Sequence, residues 1–269
     1  MDYRMIVLDL DGTLTNRDKV IMPKTREALF ELKRQGGIIV LASGRPTYGV
    51  VPLARELELD RSGGYILSYN GGRIIDCKTG KTVFAKELPV SSNQKIIGLA
   101  KEHGVNIITY EDDLIITSDA SDEYVEKEAF INRLKVKEVQ DMESYVSFPV
   151  VKFLMLEDGD YLAMVEPKVK AALGRDYSVY RSEPYFLEVL PKGIDKAASL
   201  ERLLSRLGMG KEQMIACGDG YNDLSMIQYA GLGVAMENAV FPVKKAADYV
   251  TYSNDNDGVA HVVEKFMLS

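Results

Sequence analysis

The chain has 269 residues, of which 46% are hydrophobic and 27% are charged, and this fits one large globular domain or two smaller ones. Its 33 Lys and Arg against 40 Asp and Glu give a net charge of −7, which argues against nucleic acid as a partner because nucleic-acid binding needs a basic face. No stretch approaches the ~20 apolar residues of a membrane span, so we expect no membrane partner either.

The first 80 residues or so alternate short apolar strands with helices. Residues 5–8 are a continuous apolar run, which is typical of a strand buried on both faces of a parallel sheet. The chain then continues with a helix over 23–35, a strand over 38–41, a helix over 52–59 and a strand that ends in Asn70-Gly71-Gly72. This β-α-β-α-β order predicts a doubly wound parallel sheet of Rossmann-like type.

The pattern changes in the middle of the chain. Alternating strands flank Asp112-Asp113 and predict an antiparallel hairpin. Helical spacing is found over 91–103, 121–134 and 161–173, with further strands between and after these helices. This middle segment therefore reads as an α+β module.

The first pattern returns towards the end of the chain. Helices are predicted over 197–207, 224–230 and 242–247, and a buried strand over 214–217 leads into the sequence GDGYND. The sequence thus predicts one α/β core split in two, residues 1–82 and 190–269, with an α+β domain over 83–189 inserted between the halves.

Polar residues gather where the predicted parallel strands end. These residues are Asp9, Asp11, Ser43, Asn70, Asp219, Asn222 and Asp223. Because active sites in open parallel sheets lie at the carboxyl ends of the strands, we expect them to form one site. No GxGxxG follows the first strand and no GxxxxGK[ST] occurs, so the site is not of the dinucleotide or P-loop type.

Several carboxylates at one sheet edge repel one another unless a cation lies among them, and hard oxygen ligands suit Mg²⁺. Asp9 and Asp11, only one residue apart, fit two different tasks. One carboxylate can attack a phosphoryl group and form an aspartyl-phosphate. The other can protonate the leaving oxygen and later deprotonate a water.

Four motifs occur in a fixed order along the chain. They are Asp9-Leu10-Asp11-Gly12-Thr13, Ala42-Ser43-Gly44-Arg45, Lys192-Gly193-Ile194-Asp195-Lys196 and Gly218-Asp219-Gly220-Tyr221-Asn222-Asp223. With these motifs the sequence resembles the haloacid dehalogenase (HAD) superfamily over essentially its whole length. Within that superfamily it is similar to the Cof-type sugar phosphatases of subclass IIB.

The resemblance implies a catalytic and metal-binding role for each acidic residue. Asp9 would be the nucleophile and Asp11 the general acid and base. Mg²⁺ would be held by Asp9, by the carbonyl of Asp11 and by Asp219, and Asp223 would orient a metal-bound water or Lys196.

The resemblance also implies the groups that bind phosphate. Ser43, with Gly44 after it, would donate to a phosphoryl oxygen, Lys196 would neutralise the transferring phosphate, and Asn222 would lie beside it. Two residues stay open at this point. Arg45 either contacts phosphate or pairs with an acid, and Asn70 is either a substrate contact or only a turn residue.

The insertion between Ser43 and Lys196 resembles the cap domain called C2B. Such a cap would close over the site and read the leaving group. Four of its residues, Tyr180, Arg181, Tyr185 and Glu188, fit either a substrate pocket or ordinary cross-strand packing.

The most specific function that follows is a Mg²⁺-dependent phosphatase of small phosphorylated metabolites, in particular sugar phosphates. The alternatives are a hexose-phosphate phosphomutase and a non-catalytic ligand sensor on the same fold. Cys77 and Cys217 lie far apart without metal-ligand spacing, so we expect reduced thiols and a cytoplasmic protein. The expected assembly is a monomer or a weak homodimer.

Overall fold

A computed structural model describes residues 3–268 and divides the chain into two units. Unit 1 consists of Met1–Phe84 and Asp195–Ser269, and unit 2 consists of Ala85–Ile194. The sequence placed the two boundaries at 82/83 and 189/190. Unit 2 is thus inserted in the chain between the two halves of unit 1.

Within residues 3–268 the backbone forms fourteen strands and eleven helices. The strands are β1 (Met5–Leu8), β2 (Ile38–Ala42), β3 (Tyr65–Ser68), β4 (Arg73–Asp76), β5 (Thr82–Ala85), β6 (Asn106–Glu111), β7 (Leu114–Thr117), β8 (Lys135–Glu138), β9 (Phe153–Leu156), β10 (Tyr177–Glu183), β11 (Phe186–Pro191), β12 (Met214–Gly218), β13 (Leu232–Ala235) and β14 (Tyr249–Val250). The helices are α1 (Pro23–Arg34), α2 (Thr47–Glu56), α3 (Leu59–Ser62), α4 (Val90–Glu102), α5 (Glu123–Asn132), α6 (Met142–Tyr145), α7 (Gly159–Leu173), α8 (Lys196–Leu207), α9 (Leu224–Tyr229), α10 (Phe241–Ala246) and α11 (Gly258–Phe266).

Unit 1 is built on an eight-stranded sheet of order β14-β13-β12-β1-β2-β3-β4-β5. Its first six strands in this order are parallel, and β4 runs antiparallel to β3. The chain winds outwards from β1 through β2 and β3, then returns to β12 on the other side of β1. The switch point of this doubly wound sheet therefore lies between β1 and β12, and the predicted α/β fold class is confirmed.

The central strands of this sheet are buried along their whole length. All four residues of β1 and all five of β12 are buried, as expected for strands covered on both faces. Their parallel register places Leu8 opposite Cys217, so the residues that follow each strand leave the sheet side by side.

Unit 2 has a six-stranded sheet of order β10-β11-β9-β6-β7-β8, antiparallel except for the pair β7 and β8. One face of the sheet packs on a cluster of apolar side chains that includes Phe153 and Leu187, together with helix residues such as Leu162 and Ile96. This is the α+β arrangement that the alternating strands predicted.

Several elements differ from the sequence-based prediction. Helix α2 begins at Thr47, right after Pro46, and contains Pro52, whereas a helix was predicted only from that proline onwards. Strands β4, β5 and β8 were not predicted, because each has only four residues and few buried positions. Helix α11 was also missed. None of the helices within residues 3–268 combines the length and apolar character that a membrane crossing requires.

Candidate active site

The candidate site lies at the carboxyl ends of β1, β2, β3 and β12 in unit 1. Because β1 and β12 are neighbours, Asp9 and Asp219 come together, and the Thr13 hydroxyl donates a hydrogen bond to Asp219 Oδ1 at 2.8 Å. Gly12, in the loop after β1, has a φ of +86°, and a Cβ there would clash with the carboxylate of Asp219. The Asp-Gly-Thr sequence after β1 therefore needs its glycine for a positive φ and for close approach to this acid.

Lys196 is the buried centre of the site. It is the first residue of α8, and its side chain is fully buried. Its Nζ donates to Asp9 Oδ1 at 2.8 Å, to Asp223 Oδ1 at 2.6 Å and to the carbonyl of Ala42 at 2.9 Å. All three protons of the ammonium are thus used within the protein.

Asp223 holds both Lys196 and the loop after β12. Its Oδ1 accepts from Lys196, and its Oδ2 accepts from the backbone N–H groups of Asp219 and Gly220 at 3.0 and 2.9 Å. The side chain is completely buried. Asp223 therefore acts in this structure as an anchor that places Lys196 and Asp219 together.

Burial and neighbouring charges shift the pKa values of the ionisable groups at this centre. Burial, followed by repulsion from Asp223, raises the pKa of Asp9 well above its usual value, against the opposing effect of Lys196. Burial also raises the pKa of Asp219 to about 6, although the Thr13 hydroxyl bond lowers it. Burial lowers the pKa of Lys196, but attraction to Asp223 and Asp9 outweighs it and raises that pKa.

Asp9, Asp219 and Asp223 form a group of carboxylates that could hold a metal ion. One oxygen from each lies within 4.8 Å of the others. Three carboxylates share a single ammonium here, and their mutual repulsion contributes to the raised pKa values of Asp9 and Asp219. A hard divalent cation such as Mg²⁺ fits this donor set, because it supplies the missing positive charge and prefers carboxylate oxygens.

The loop after β2 is tied to the loop after β3. Ser43 is buried, and its Oγ accepts from the backbone N–H of Arg45 at 3.1 Å. The backbone N–H of Asn70 donates to the carbonyl of Ser43 at 2.9 Å. A Cβ on Gly44 would lie 3.2 Å from the Asn70 amide, so the two loops pass each other closely.

The loop after β3 has an unusual backbone. Tyr69, Asn70 and Gly71 have φ values of +54°, +54° and +102° in succession, a region that bulky residues rarely adopt. This backbone conformation places the Asn70 side chain towards the loop after β12, where its Oδ1 accepts from Asn222 Nδ2 at 3.2 Å. The predicted site residues Ser43, Gly44, Asn70 and Asn222 are therefore brought together, and strained backbone of this kind gathers at functional sites.

Asp11 is partly exposed and pairs with two cations, Arg45 and Lys19. Arg45 donates to both of its oxygens, Nε to Oδ2 at 2.8 Å and Nη2 to Oδ1 at 2.6 Å, and Lys19 Nζ lies 2.7 Å from Oδ1. Burial would raise the pKa of Asp11, but hydrogen bonding and attraction from Arg45, then from Lys19, lower it. Of the two possibilities left open for Arg45, the structure shows the pair with an acid.

Sequence reasoning missed the residues that hold the loop after β1. Asn238 Nδ2 donates to the carbonyl of Gly12 at 2.8 Å, and Asn238 Oδ1 accepts from the N–H of Asn254 at 3.1 Å. Asn254 Nδ2 in turn donates to the carbonyl of Thr15 at 2.9 Å. The asparagines of 236–239 and 254–258 were visible in the sequence, but nothing there showed that they reach back to residues 12–15.

The candidate pocket residues of unit 2 are engaged with one another and with their neighbours. Tyr180 lies directly opposite Glu188 in the β10–β11 register, and its OH donates to Glu188 Oε2 at 3.3 Å. Lys152 Nζ lies 3.3 Å from Glu188 Oε1, and both side chains are buried. Arg181 pairs with Glu166. These contacts show cross-strand and neighbour pairing of the kind that the sequence left open.

Comparison with known proteins adds to this geometry. The family model of haloacid dehalogenase-like hydrolases matches residues 6–263. A haloacid dehalogenase-like hydrolase of Bacteroides thetaiotaomicron, known from its crystal structure, is 50% identical, with a TM-score of 0.95 and coverage of 98% of this chain and 99% of that one.

Two further relatives are named for an activity. The 5-amino-6-(5-phospho-D-ribitylamino)uracil phosphatase YcsE of Bacillus subtilis (strain 168) is 30% identical over 269 residues, which cover 100% of this chain and 97% of the relative. The HAD subclass IIB sugar phosphatase BT4131 is 26% identical, with a TM-score of 0.81 and coverage of 98% of each chain.

The fold, the acidic centre and these relatives together define a hydrolase of phosphate esters. The chain belongs to the haloacid dehalogenase superfamily, which confirms the resemblance that its four motifs carried, including the one to subclass IIB. It is accordingly an enzyme of the phosphatase class.

Proposed function

We propose that this enzyme is a Mg²⁺-dependent phosphatase of small phosphorylated metabolites, in particular sugar phosphates, and that it works through a phosphorylated Asp9. The observation that carries the proposal is the position of Asp9, whose Oδ1 lies 2.8 Å from the fully buried Lys196 Nζ and beside Asp219 and Asp223. Such a carboxylate is fixed in place and lies among groups that can balance the charge of a phosphoryl group.

Asp9 Oδ2 would attack the phosphorus while its Oδ1 stays bound to Lys196. Lys196 would hold the nucleophile in place and balance part of the charge that develops. Ser43 Oγ would turn its hydroxyl proton towards a phosphoryl oxygen, and the Asn222 amide would bind beside it. Mg²⁺ would be held by Asp9, by the carbonyl of Asp11 and by Asp219, with Asp223 behind them, and when bound it supplies positive charge against that of the phosphate.

Asp11 would act as general acid and base. It would give a proton to the leaving oxygen as the P–O bond breaks, and it would later take one from the water that attacks the phosphorylated Asp9. Its present partners, Arg45 and Lys19, keep it ionised in the absence of substrate. When a substrate enters, their contacts with Asp11 must therefore loosen, and Asp11 must take up a proton from solvent before it can act as the acid.

The substrate class is proposed from the relatives and from the inserted unit. One relative is a subclass IIB sugar phosphatase and another acts on a phosphorylated ribitylamino compound, so both handle phosphate esters of polyhydroxylated alcohols. We take unit 2 as the cap that reads the alcohol part of the ester. The cytoplasmic location and the monomer or weak homodimer stay predictions.

The test is phosphate release from a panel of sugar phosphates and other phosphorylated metabolites, first with Mg²⁺ and then with EDTA. We expect release with Mg²⁺ only, and its loss in Asp9→Asn, while Asp60→Asn, an exposed aspartate on α3, keeps wild-type activity. Turnover in Asp9→Asn would contradict the covalent mechanism. An isomeric sugar phosphate in place of free phosphate would indicate a mutase, and binding without any turnover would indicate a sensor.

A further inference from the structure

The outer part of the site contains a cation that the proposed mechanism does not use. Lys19 Nζ lies 2.7 Å from Asp11 Oδ1, and the same oxygen accepts from Arg45 Nη2. The carboxylate of Asp11 thus forms ion pairs with two cations. The side chain of Lys19 is 56% exposed, against 14% for Arg45, so water can replace Asp11 as a partner of Lys19 more readily than as a partner of Arg45.

The backbone that carries Lys19 is held in a specific shape. Lys19 has a φ of +60°, which is uncommon for a residue other than glycine. The turn is closed by Asn16, whose Oδ1 accepts from the N–H groups of Asp18 and Val20 at 3.0 and 3.1 Å. The chain therefore maintains a left-handed residue at the position from which a lysine reaches Asp11.

The turn is also tied to a distant part of unit 1. Asp255 accepts from Arg17 twice, Oδ1 from the backbone N–H and Oδ2 from Nε, both at 3.0 Å. Asn254, the preceding residue, holds the carbonyl of Thr15 at 2.9 Å. The position of Lys19 is thus set by contacts on both sides of the turn and is not that of a freely moving surface lysine.

We propose that Lys19 is a further phosphate-binding residue of this active site, which neutralises Asp11 in the free enzyme and binds a phosphoryl oxygen when substrate is present. Lys196 cannot take this task without leaving a partner, because its three protons are bound to Asp9, Asp223 and Ala42. A phosphate dianion attracts an ammonium more strongly than a single carboxylate does. The inference rests on the proposed phosphatase function.

The experiment compares Lys19→Met and Lys19→Arg with a matched control, Lys24→Met. Lys24 on α1 is equally exposed, at 57%, and also pairs with an acid, Glu264. Binding of inorganic phosphate in the presence of Mg²⁺ is measured by calorimetry, and kcat and KM are measured with the best substrate. We expect Lys19→Met to weaken phosphate binding and kcat/KM by about 10- to 100-fold, mainly through KM, with Lys19→Arg close to wild type and Lys24→Met unchanged.

A second variant tests the turn. Asp255→Asn weakens the contact with Arg17, so it should reduce phosphate affinity a few-fold in the wild-type background but have no further effect when Lys19→Met is present. Equal effects in both backgrounds would show that the turn acts without Lys19.

The outcomes separate the two proposals. Wild-type phosphate affinity and kcat/KM in Lys19→Met would overturn the role of Lys19 and leave the phosphatase function untouched. Absence of phosphate release from every ester by the wild-type enzyme would overturn the proposed function. Even then, if the wild type and Lys24→Met bound inorganic phosphate and Lys19→Met did not, the result would support Lys19 as a phosphate-binding residue.

Discussion

The proposed active site contains two clusters of ion pairs that have similar distances and differ in burial. In the inner cluster Lys196 lies 2.8 and 2.6 Å from Asp9 and Asp223, and the exposed fraction of the three side chains is at most 9%. In the outer cluster Lys19 and Arg45 lie 2.7 and 2.6 Å from Asp11, with exposed fractions of 56%, 14% and 37%. The geometry of the bonds therefore does not distinguish the two clusters, but their access to water does.

Burial changes what each cluster can do. Charges in the inner cluster have lost their hydration and depend on one another, so each must stay in place for the others to remain ionised. In the outer cluster Lys19 and Asp11 are still partly hydrated, and pairing between such exposed charges contributes little net stability. The inner cluster is thus suited to fixing a nucleophile, and the outer cluster to exchanging partners when a substrate arrives.

The variant for which we predict the greatest change removes the cation of the inner cluster, Lys196. We expect Lys196→Met to lower kcat/KM by roughly 10⁴-fold and the free energy of unfolding by about 3 kcal/mol, because two buried carboxylates lose their cation. Phosphate release and urea unfolding measure the two effects. Lys19→Met should change stability by less than about 1 kcal/mol.

Lys196→Arg is the control for charge alone. It keeps the cation but not the compact ammonium that donates to three acceptors at once, so it should recover part of the stability and little of the activity. If Lys196→Met were as stable as Lys19→Met, the inner cluster would not depend on its cation and the distinction by burial would be wrong.

The next effect is the pH dependence of stability that Asp219, which lies beside the inner cluster, causes in the absence of metal. Asp219 has a pKa of about 6 in the folded protein, against 3.8 as its usual value, so between pH 4 and 6 the folded state binds more protons than the unfolded state. Stability must therefore fall, through this group, as the pH rises across that range. Mg²⁺ should remove the fall, because it replaces the proton as the balancing charge.

Urea unfolding between pH 4 and 7, in EDTA and in Mg²⁺, measures this effect. Carboxyl groups with a lowered pKa, such as Asp11, act in the opposite direction, so the informative quantity is the difference between wild type and Asp219→Asn. In EDTA the wild type should lose stability relative to Asp219→Asn as the pH rises. A difference that is independent of pH, or one that Mg²⁺ leaves unchanged, would contradict this account.

The two clusters also differ in how far the sequence could predict them. Topology brings Asp9 and Asp219 together, because they end neighbouring parallel strands, and a pattern of strands and helices is enough to place such residues at one edge. The doubly wound core was predicted for the same reason, since a continuous apolar run such as β1 identifies a buried strand from the local sequence alone. Lys196, which begins a helix of the same unit, was assigned to the site by the resemblance and not by the pattern of strands and helices.

The outer cluster could not be predicted in this way. Lys19 reaches Asp11 only because its turn has a left-handed residue and is held by Asp255, which is more than two hundred residues further along the chain. Arg45 was recognised as a candidate, but its pairing with Asp11 depends on loop conformation and not on strand order. Contacts of this kind join irregular segments, and their spacing leaves no periodic signal in the sequence.

The dependence of kcat/KM on salt should change least, and it reports directly on the exposed charges of the outer cluster. Exposed charges are screened at ordinary ionic strength and buried charges much less, with a Debye length of about 10 Å at 0.1 M salt. Raising NaCl from about 0.05 to 0.5 M should therefore lower kcat/KM a few-fold through the outer cluster and leave the inner cluster intact. In Lys19→Met the dependence of kcat/KM on salt should be shallower, because one attracting charge is gone, whereas Lys24→Met should follow the wild type. An identical salt dependence in Lys19→Met would mean that Lys19 does not attract the phosphate, and the outer cluster would then be an ordinary surface ion pair.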